Sequence, residues 1–321
     1  MRLQLRPTAQ SEGCIARHNI SDATGHRLVS KGRVITADDV AQLHAHAIDH
    51  VHVVELDGDD IDEHRAATLV AVRCSHRGVR IRPPHHGRVD VLADYAGMVR
   101  VTDARLADWH AIDGVTIATV AGWSAVTAGQ RIATIKILPF ALPRHHLQST
   151  PAPAIAVHPF VRRRVAIIII GNDAVCTRLQ RTHIPPLQAR LVPVTATVVA
   201  TLQCAPDSRA VAVALCQATE CADLVITVAE TSIMDRDDVM PQGLLLAGGD
   251  ITCYGAPVEP GNLLLLGQLA GVPVIGAPGC IRGHSRNVVD ELLPRIVADF
   301  LPTAHDVYAL ANGGLLSSAK E

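Results

Sequence analysis

The sequence predicts an α/β protein whose second half is a doubly wound, mostly parallel sheet, preceded by a small α/β module and a β-rich module. Three observations predict it. From Arg163 onward, runs of β-branched residues alternate with amphipathic helical patterns, the signature of strands and crossover helices. Between about 79 and 143, short alternating runs are separated by turn residues, as in a compact β-rich module. Over 223–238, D-L-V-I-T-V-A-E-T-S-I-M-D-R-D-D, an apolar run stops abruptly in a loop carrying Thr231, Ser232, Asp235, Arg236, Asp237 and Asp238. In open α/β sheets, ligands sit at the carboxyl ends of strands, so this loop is a site candidate.

Composition narrows the function classes. The chain has 321 residues and 48% hydrophobic content, enough to bury the cores of two or three domains. Aromatic residues are only 2%, so Val, Ile, Leu and Ala must fill those cores. The formal net charge of -2 implies no basic face and argues against a nucleic-acid partner. The basic cluster at 162–164 reads as a solvated strand entrance. No apolar N-terminal stretch resembles a signal peptide, and no apolar run is long enough for a membrane span; a cytoplasmic protein is expected. The eight cysteines include no C-x-x-C pair and are expected to be small buried hydrophobes rather than disulfides or zinc ligands.

The elements follow in order. In the first module, 1–74, Thr36 is a plausible helix N-cap with Asp39 three residues on, and Val40, Leu43, Ala47 and Ile48 recur at helical spacing. Val51 and Val53, with 54–56, form the next strand. The acidic run D-G-D-D-I-D-E is expected as a solvated loop, without a complete EF-hand pattern, leading into a helix over 65–74. The β-rich module spans 75–145. Several prolines and no periodicity over 144–159 read as a linker. The third domain, 160–302, opens with a strand at 165–170 followed by Gly171, Asn172 and Asp173. A helix follows, ending before 192–194; another covers 208–222, capped by Asp207 or Ser208. Then come a strand at 224–228, a helix at 239–247 stopped by Gly248-Gly249, and strands at 251–254 and 272–276. Val288, Val289, Leu292, Leu293, Ile296, Val297 and Phe300 trace one face of a final helix, and 303–321 is a tail.

Four loops should gather at the strand ends of the third domain: 171–173, 231–238, 257–267 and 276–285. Their glycines let backbone approach a ligand, and helix starts present free N–H groups to anions. Arg236 and Arg282 suit bidentate phosphate contacts. Asp235, Asp237 and Asp238 offer hard oxygens to Mg²⁺; alternatively they cap the helix beginning near Val239. Cys280 lies just before the final helix, where a thiolate would be stabilised, or is simply a small residue in a tight turn. His44, His46, His50 and His52 are close together, and His46 and His50 share a zinc-site spacing, but no further ligand completes a set.

The third domain resembles the molybdopterin-binding domain shared by molybdopterin adenylyltransferases and molybdopterin molybdotransferases. Thr231-Ser232 and Arg236-Asp237 match the T-G and R-D of the adenylyltransferase type; the P-G-K-P-L-L-x-G stretch of the molybdotransferases falls on 260–267, and their G-L-P-G-N-P loop on 276–281. The sequence departs from the pattern where the paired glycines are Ala229 and Glu230, a later glycine is Met234, the lysine is Asn262 and an asparagine is Cys280. K-G-R-V-I-T-A-D-D-V-A-Q-L-H-A-H-A-I-D-H-V-H-V in the first module is similar to a molybdotransferase segment. The resemblance implies a molybdopterin-binding fold and a role in molybdenum cofactor biosynthesis, with molybdopterin or its nucleotide as ligand. With the loops at the strand ends, it gives an expected pterin site of Gly171, Asn172, Asp173, Thr231, Ser232, Arg236, Pro260, Gly261, Asn262, Pro278, Gly279, Cys280 and Arg282. Mg²⁺ is expected on Asp235, Asp237 and Asp238, with Asp237 the essential residue, and the resemblance implies a homo-oligomer, dimer or trimer. The lost glycines and lysine favour the alternative of a non-catalytic cofactor carrier or chaperone; a sensor is a third reading.

Overall fold

A computed structural model of the protein describes residues 1–231 and 233–316. The chain forms two compact units. The first comprises 1–94, 101–120 and 129–156; the second comprises 95–100, 121–128 and 157 onward.

The chain begins with β1 (Arg2–Pro7), β2 (Ile15–Ala16), β3 (Ile20–Ser21), β4 (Arg27–Val29), α1 (Ala37–Ala45) and β5 (His50–Glu55). β5 pairs antiparallel with both β1 and β2. The expected cap of α1 is present as a full box: Asp39 N–H donates to Thr36 Oγ1 (3.2 Å) and Thr36 N–H to Asp39 Oδ2 (2.9 Å). Leu43 then buries against Val51 and Val53. The acidic run is more ordered than a solvated loop. It supplies β6 (Asp60–Asp62) and, through Asp62, the N-cap of α2 (Glu63–Cys74), which buries Ala66, Ala67, Val70 and Cys74.

Beyond it come β7 (Val79–Ile81), β8 (Arg88–Ala93), β9 (Gly97–Val101), α3 (Asp103–His110), β10 (Val115–Thr119), β11 (Ala125–Val126), β12 (Arg131–Ile137), β13 (Ala141–Pro143) and β14 (Ile155–Pro159). β10-β12-β8-β7 form an antiparallel sheet, bearing out the alternating pattern. Two features differ from the sequence expectation. α3 interrupts the strands; it is short and mostly polar, anchored by buried Trp109, whose Nε1–H donates to Ala152 O (3.1 Å). The segment read as a linker holds strand β14, with Ile155 and Val157 buried, because its prolines precede that strand or stand at its last position rather than inside it.

In the second unit, strands and helices alternate as β15 (Arg164–Ile170), α4 (Asp173–Thr182), α5 (Ile184–Leu191), β16 (Thr197–Cys204), α6 (Ser208–Cys221), β17 (Leu224–Ala229), α7 (Val239–Leu246), β18 (Asp250–Tyr254), β19 (Leu265–Leu269), β20 (Val272–Gly276), α8 (Val288–Val297) and α9 (Ala304–Tyr308). The six-stranded sheet runs β16-β15-β17-β20-β19-β18; it is parallel through β20 and antiparallel beyond. Its two faces bury separate cores. Ile167 and Ile169 of β15 pack with Leu179, Leu187 and Leu292 from α4, α5 and α8. Ile168 and Ile170, one residue out of phase, pack with Val211, Leu215 and Leu244 from α6 and α7. Four consecutive isoleucines thus serve both faces, the doubly wound arrangement. Gly248 stops α7 at φ +84°. The L-L-L-L-G run within the predicted 257–267 loop is largely strand β19, an antiparallel addition that the motif reading passed over. No helix among the described residues is long and apolar enough to cross a membrane.

Candidate functional site

The strand order fixes where a ligand fits. The chain leaves β15 for β16 on one side and reaches β17 on the other, so the order reverses between β15 and β17. A crevice opens at the carboxyl ends of strands at such a switch point. A cavity of about 440 Å³ lies among segments that follow these strands. It is lined by Arg178, Leu179, Thr182 and His183 after β15, Glu230 after β17, and Gly279 and Arg282 after β20.

The wall formed by α4 is set by the loop before it. Gly171 N–H donates to Cys204 O (3.0 Å), and Val175 N–H donates to Asn172 Oδ1 (3.0 Å), capping α4. A Cβ on Gly171 would stand 2.5 Å from Val175 Cγ1, so a side chain there would force the helix start apart. Arg178 and Thr182 are one turn apart, and His183 follows as the C-cap. Thr182 Oγ1 and His183 Nδ1 are 2.8 Å apart. Burial, and then the charges of Arg282 and Arg178, lower the pKa of His183, so its ring is neutral at pH 7. Arg178 is ion-paired with Glu230. Arg282 forms no ion pair among the described residues. The cavity therefore offers two guanidiniums, one of them already answered by a carboxylate.

Of the residues singled out from sequence, Gly279 and Arg282 line this cavity. Gly171, Asn172 and Asp173 form and cap the start of the helix that walls it. Pro260 and Gly261 meet the start of α8 instead, and Asn262 ties the loop back to Ala256. Val288 N–H donates to Pro260 O (3.2 Å), Ala256 N–H donates to Asn262 O (3.0 Å), and Gly261 at φ +130° lies against Val288. Pro278 is buried ahead of the short turn Gly279–Arg282. Cys280 sits half-buried in that turn. Burial outweighs the nearby Arg190 and pushes its thiol up, which favours the small residue in a tight turn over the stabilised thiolate.

The acidic loop turns on itself. Met234 N–H and Asp235 N–H both donate to Asp238 Oδ2 (2.7 and 3.0 Å), and Asp237 N–H donates to Asp235 Oδ1 (2.9 Å). Asp237 receives one long bond, 3.4 Å from Gln242 Nε2. Arg236 lies over the Tyr254 ring (5.7 Å), whose hydroxyl donates to Met234 O (2.6 Å). Ser232 lies outside the described residues; Thr231 and 233–238 are not among the cavity's lining. Among the described residues no group of three His, Cys, Asp or Glu side chains is placed to hold a metal ion. Asp235 and Asp238 each give one carboxylate oxygen to backbone N–H groups of their own turn, and their second oxygens take no hydrogen bond among the described residues. Arg178, Thr182, His183 and Glu230 were missed from sequence. For Arg178, Thr182 and His183 the signal was a polar pair at helical spacing, running into a histidine, on the helix that starts at Gly171-Asn172-Asp173; Glu230 was marked by standing directly after the β17 strand.

No protein-family model matches the chain, and no curated protein matches it. Among solved structures it is similar to the protein CinA, of unknown function, from Thermoplasma acidophilum, at 16% identity over 42% of this chain and 98% of that chain, with a TM-score of 0.35. A molybdenum cofactor biosynthesis protein from Pyrococcus furiosus is similar at 12% identity over 94% of this chain and 65% of that chain, with a TM-score of 0.26. A molybdopterin biosynthesis MoeA protein from Pyrococcus horikosii is similar at 12% identity over 94% of this chain and 75% of that chain, with a TM-score of 0.32.

Proposed function

We propose that the second unit binds molybdopterin or its nucleotide at the β15/β17 switch point and serves molybdenum cofactor biosynthesis. The observation that carries this reading is the cavity where Arg178 and Arg282 converge. Two guanidiniums suit a phosphate-bearing ligand, because each can form charge-assisted, bidentate bonds to its oxygens. The motif resemblance over 229–282 supplies the pterin. Asp237 is the carboxylate of the acidic loop least engaged by its own backbone. In this reading it meets a Mg²⁺ brought by the ligand's phosphates, while Asp235 and Asp238 hold the turn.

A non-catalytic carrier is the second reading, and Glu230 favours it. Where the resembling families have glycine, this chain places a carboxylate beside the cavity, paired with Arg178. A transferase would work here by positioning and charge neutralisation alone, and each is weakened by that carboxylate and by Asn262 in place of lysine. Calorimetric titration with molybdopterin, with and without Mg²⁺, tests the binding claim. Turnover with ATP or molybdate separates transferase from carrier.

A further inference from the structure

The cavity has an occupant of its own. Arg178 projects from α4, Glu230 follows β17, and their side chains are ion-paired at the cavity wall while 51% and 52% exposed. Side chains this exposed are free to swing, and such a pair holds together by no more than about five-fold in equilibrium terms. Arg282, across the same cavity, has no carboxylate partner among the described residues.

We infer that Glu230 is a built-in competitor for the anionic group of the ligand. Its carboxylate occupies Arg178 in the free protein. An arriving phosphate is first held by Arg282 and then takes Arg178 from Glu230, whose side chain swings into solvent. Binding is thereby weakened, and release eased, which suits a protein that passes its ligand on. The inference rests on the reading that this cavity takes a phosphate-bearing ligand.

Inorganic phosphate, titrated against the whole protein by ³¹P NMR at low ionic strength, provides the test. Four proteins are compared: wild type, Glu230→Gln, Arg178→Met and the double variant, with Arg282→Met as the marker of the cavity. Glu230→Gln should tighten phosphate binding by about five-fold, a gain that salt screens away. Competition also makes the two side chains non-additive. Arg178→Met should therefore cost more in the Glu230→Gln background, where Arg178 is free, than in wild type, where it is half-neutralised. Equal cost in both backgrounds, or no tightening in Glu230→Gln, overturns the competitor even if Arg282→Met weakens binding and the cavity reading stands. No phosphate binding by any of the proteins overturns both.

Discussion

The guanidinium of Arg295 stacks 4.0 Å from the centre of the Trp123 ring and also donates to Asp306 Oδ1 at 2.9 Å. Arg295 is buried, so both contacts bear on the stability of the second unit. Asp306 is also the N3 residue of the capping box that starts α9. The Thr303 hydroxyl first, and then Arg295, hold its carboxyl down at about 2. A carboxyl depressed in the folded state contributes stability that is present above its unfolded value and lost as pH falls through the folded one. Chemical denaturation followed from pH 5 to pH 2 should therefore show a stability loss between about pH 4 and 2 that is smaller in Asp306→Asn. At neutral pH Asp306→Ala should cost about 1 kcal/mol through the cap. An unchanged acid limb in Asp306→Asn would contradict the assignment.

Gly261 is fixed by its backbone as well as by its space. It adopts φ +130°, and a Cβ there would stand 2.6 Å from Val288 Cγ1 at the first turn of α8. Gly261→Ala should destabilise the protein by about 3 kcal/mol, combining a backbone penalty with overpacking. Urea unfolding measures it; a loss below about 0.5 kcal/mol, the range of an indifferent surface change, would contradict the packing described.

The cysteines divide by environment. Cys74 and Cys204 are pushed up to about 11 by burial, Cys280 is raised for the same reason, and Cys216 is exposed. Thiol labelling at pH 8 with peptide mapping should modify Cys216 first and Cys280 distinctly later. Fast labelling at Cys280 would restore the reactive thiolate that its place before α8 suggested.

His183 reports on the cavity's charges. Its pKa lies below the ordinary 6.5 because of burial and the nearby Arg282 and Arg178. An NMR titration of its ring should give a midpoint below 6.5, and Arg282→Met should move that midpoint upward. A midpoint unmoved by the substitution would mean that Arg282 does not face His183.

How much was legible in the sequence varied with the kind of signal. Strands buried on both faces and long amphipathic helices read well: 165–170, 208–222 and 272–276 all lie within a residue or two of the observed elements. The Thr36–Asp39 cap was legible because both halves of a capping box are local. β19 was not, since a four-leucine run beside P-G-N fits a family loop as well as an antiparallel strand between β20 and β18. The cavity's walls were half legible. Gly279 and Arg282 sit in a glycine-marked loop, where function is sought. Arg178 and Glu230 meet across 52 positions of sequence, and only the parallel pairing of β15 with β17 brings them together. The acidic loop was legible only as a choice of two: carboxylates spaced to cap their own turn look the same in sequence as carboxylates spaced for a cation.

A molybdopterin site at the β15/β17 switch point is tested by calorimetric titration of molybdopterin into wild type, Arg282→Met and Asp237→Ala, each with and without Mg²⁺. Saturable binding to wild type is expected. Arg282→Met should weaken it by about ten-fold or more, the worth of a charge-assisted contact, and Asp237→Ala should abolish its Mg²⁺ dependence. No binding by wild type, or equal binding by Arg282→Met, would contradict a molybdopterin site at the β15/β17 switch point.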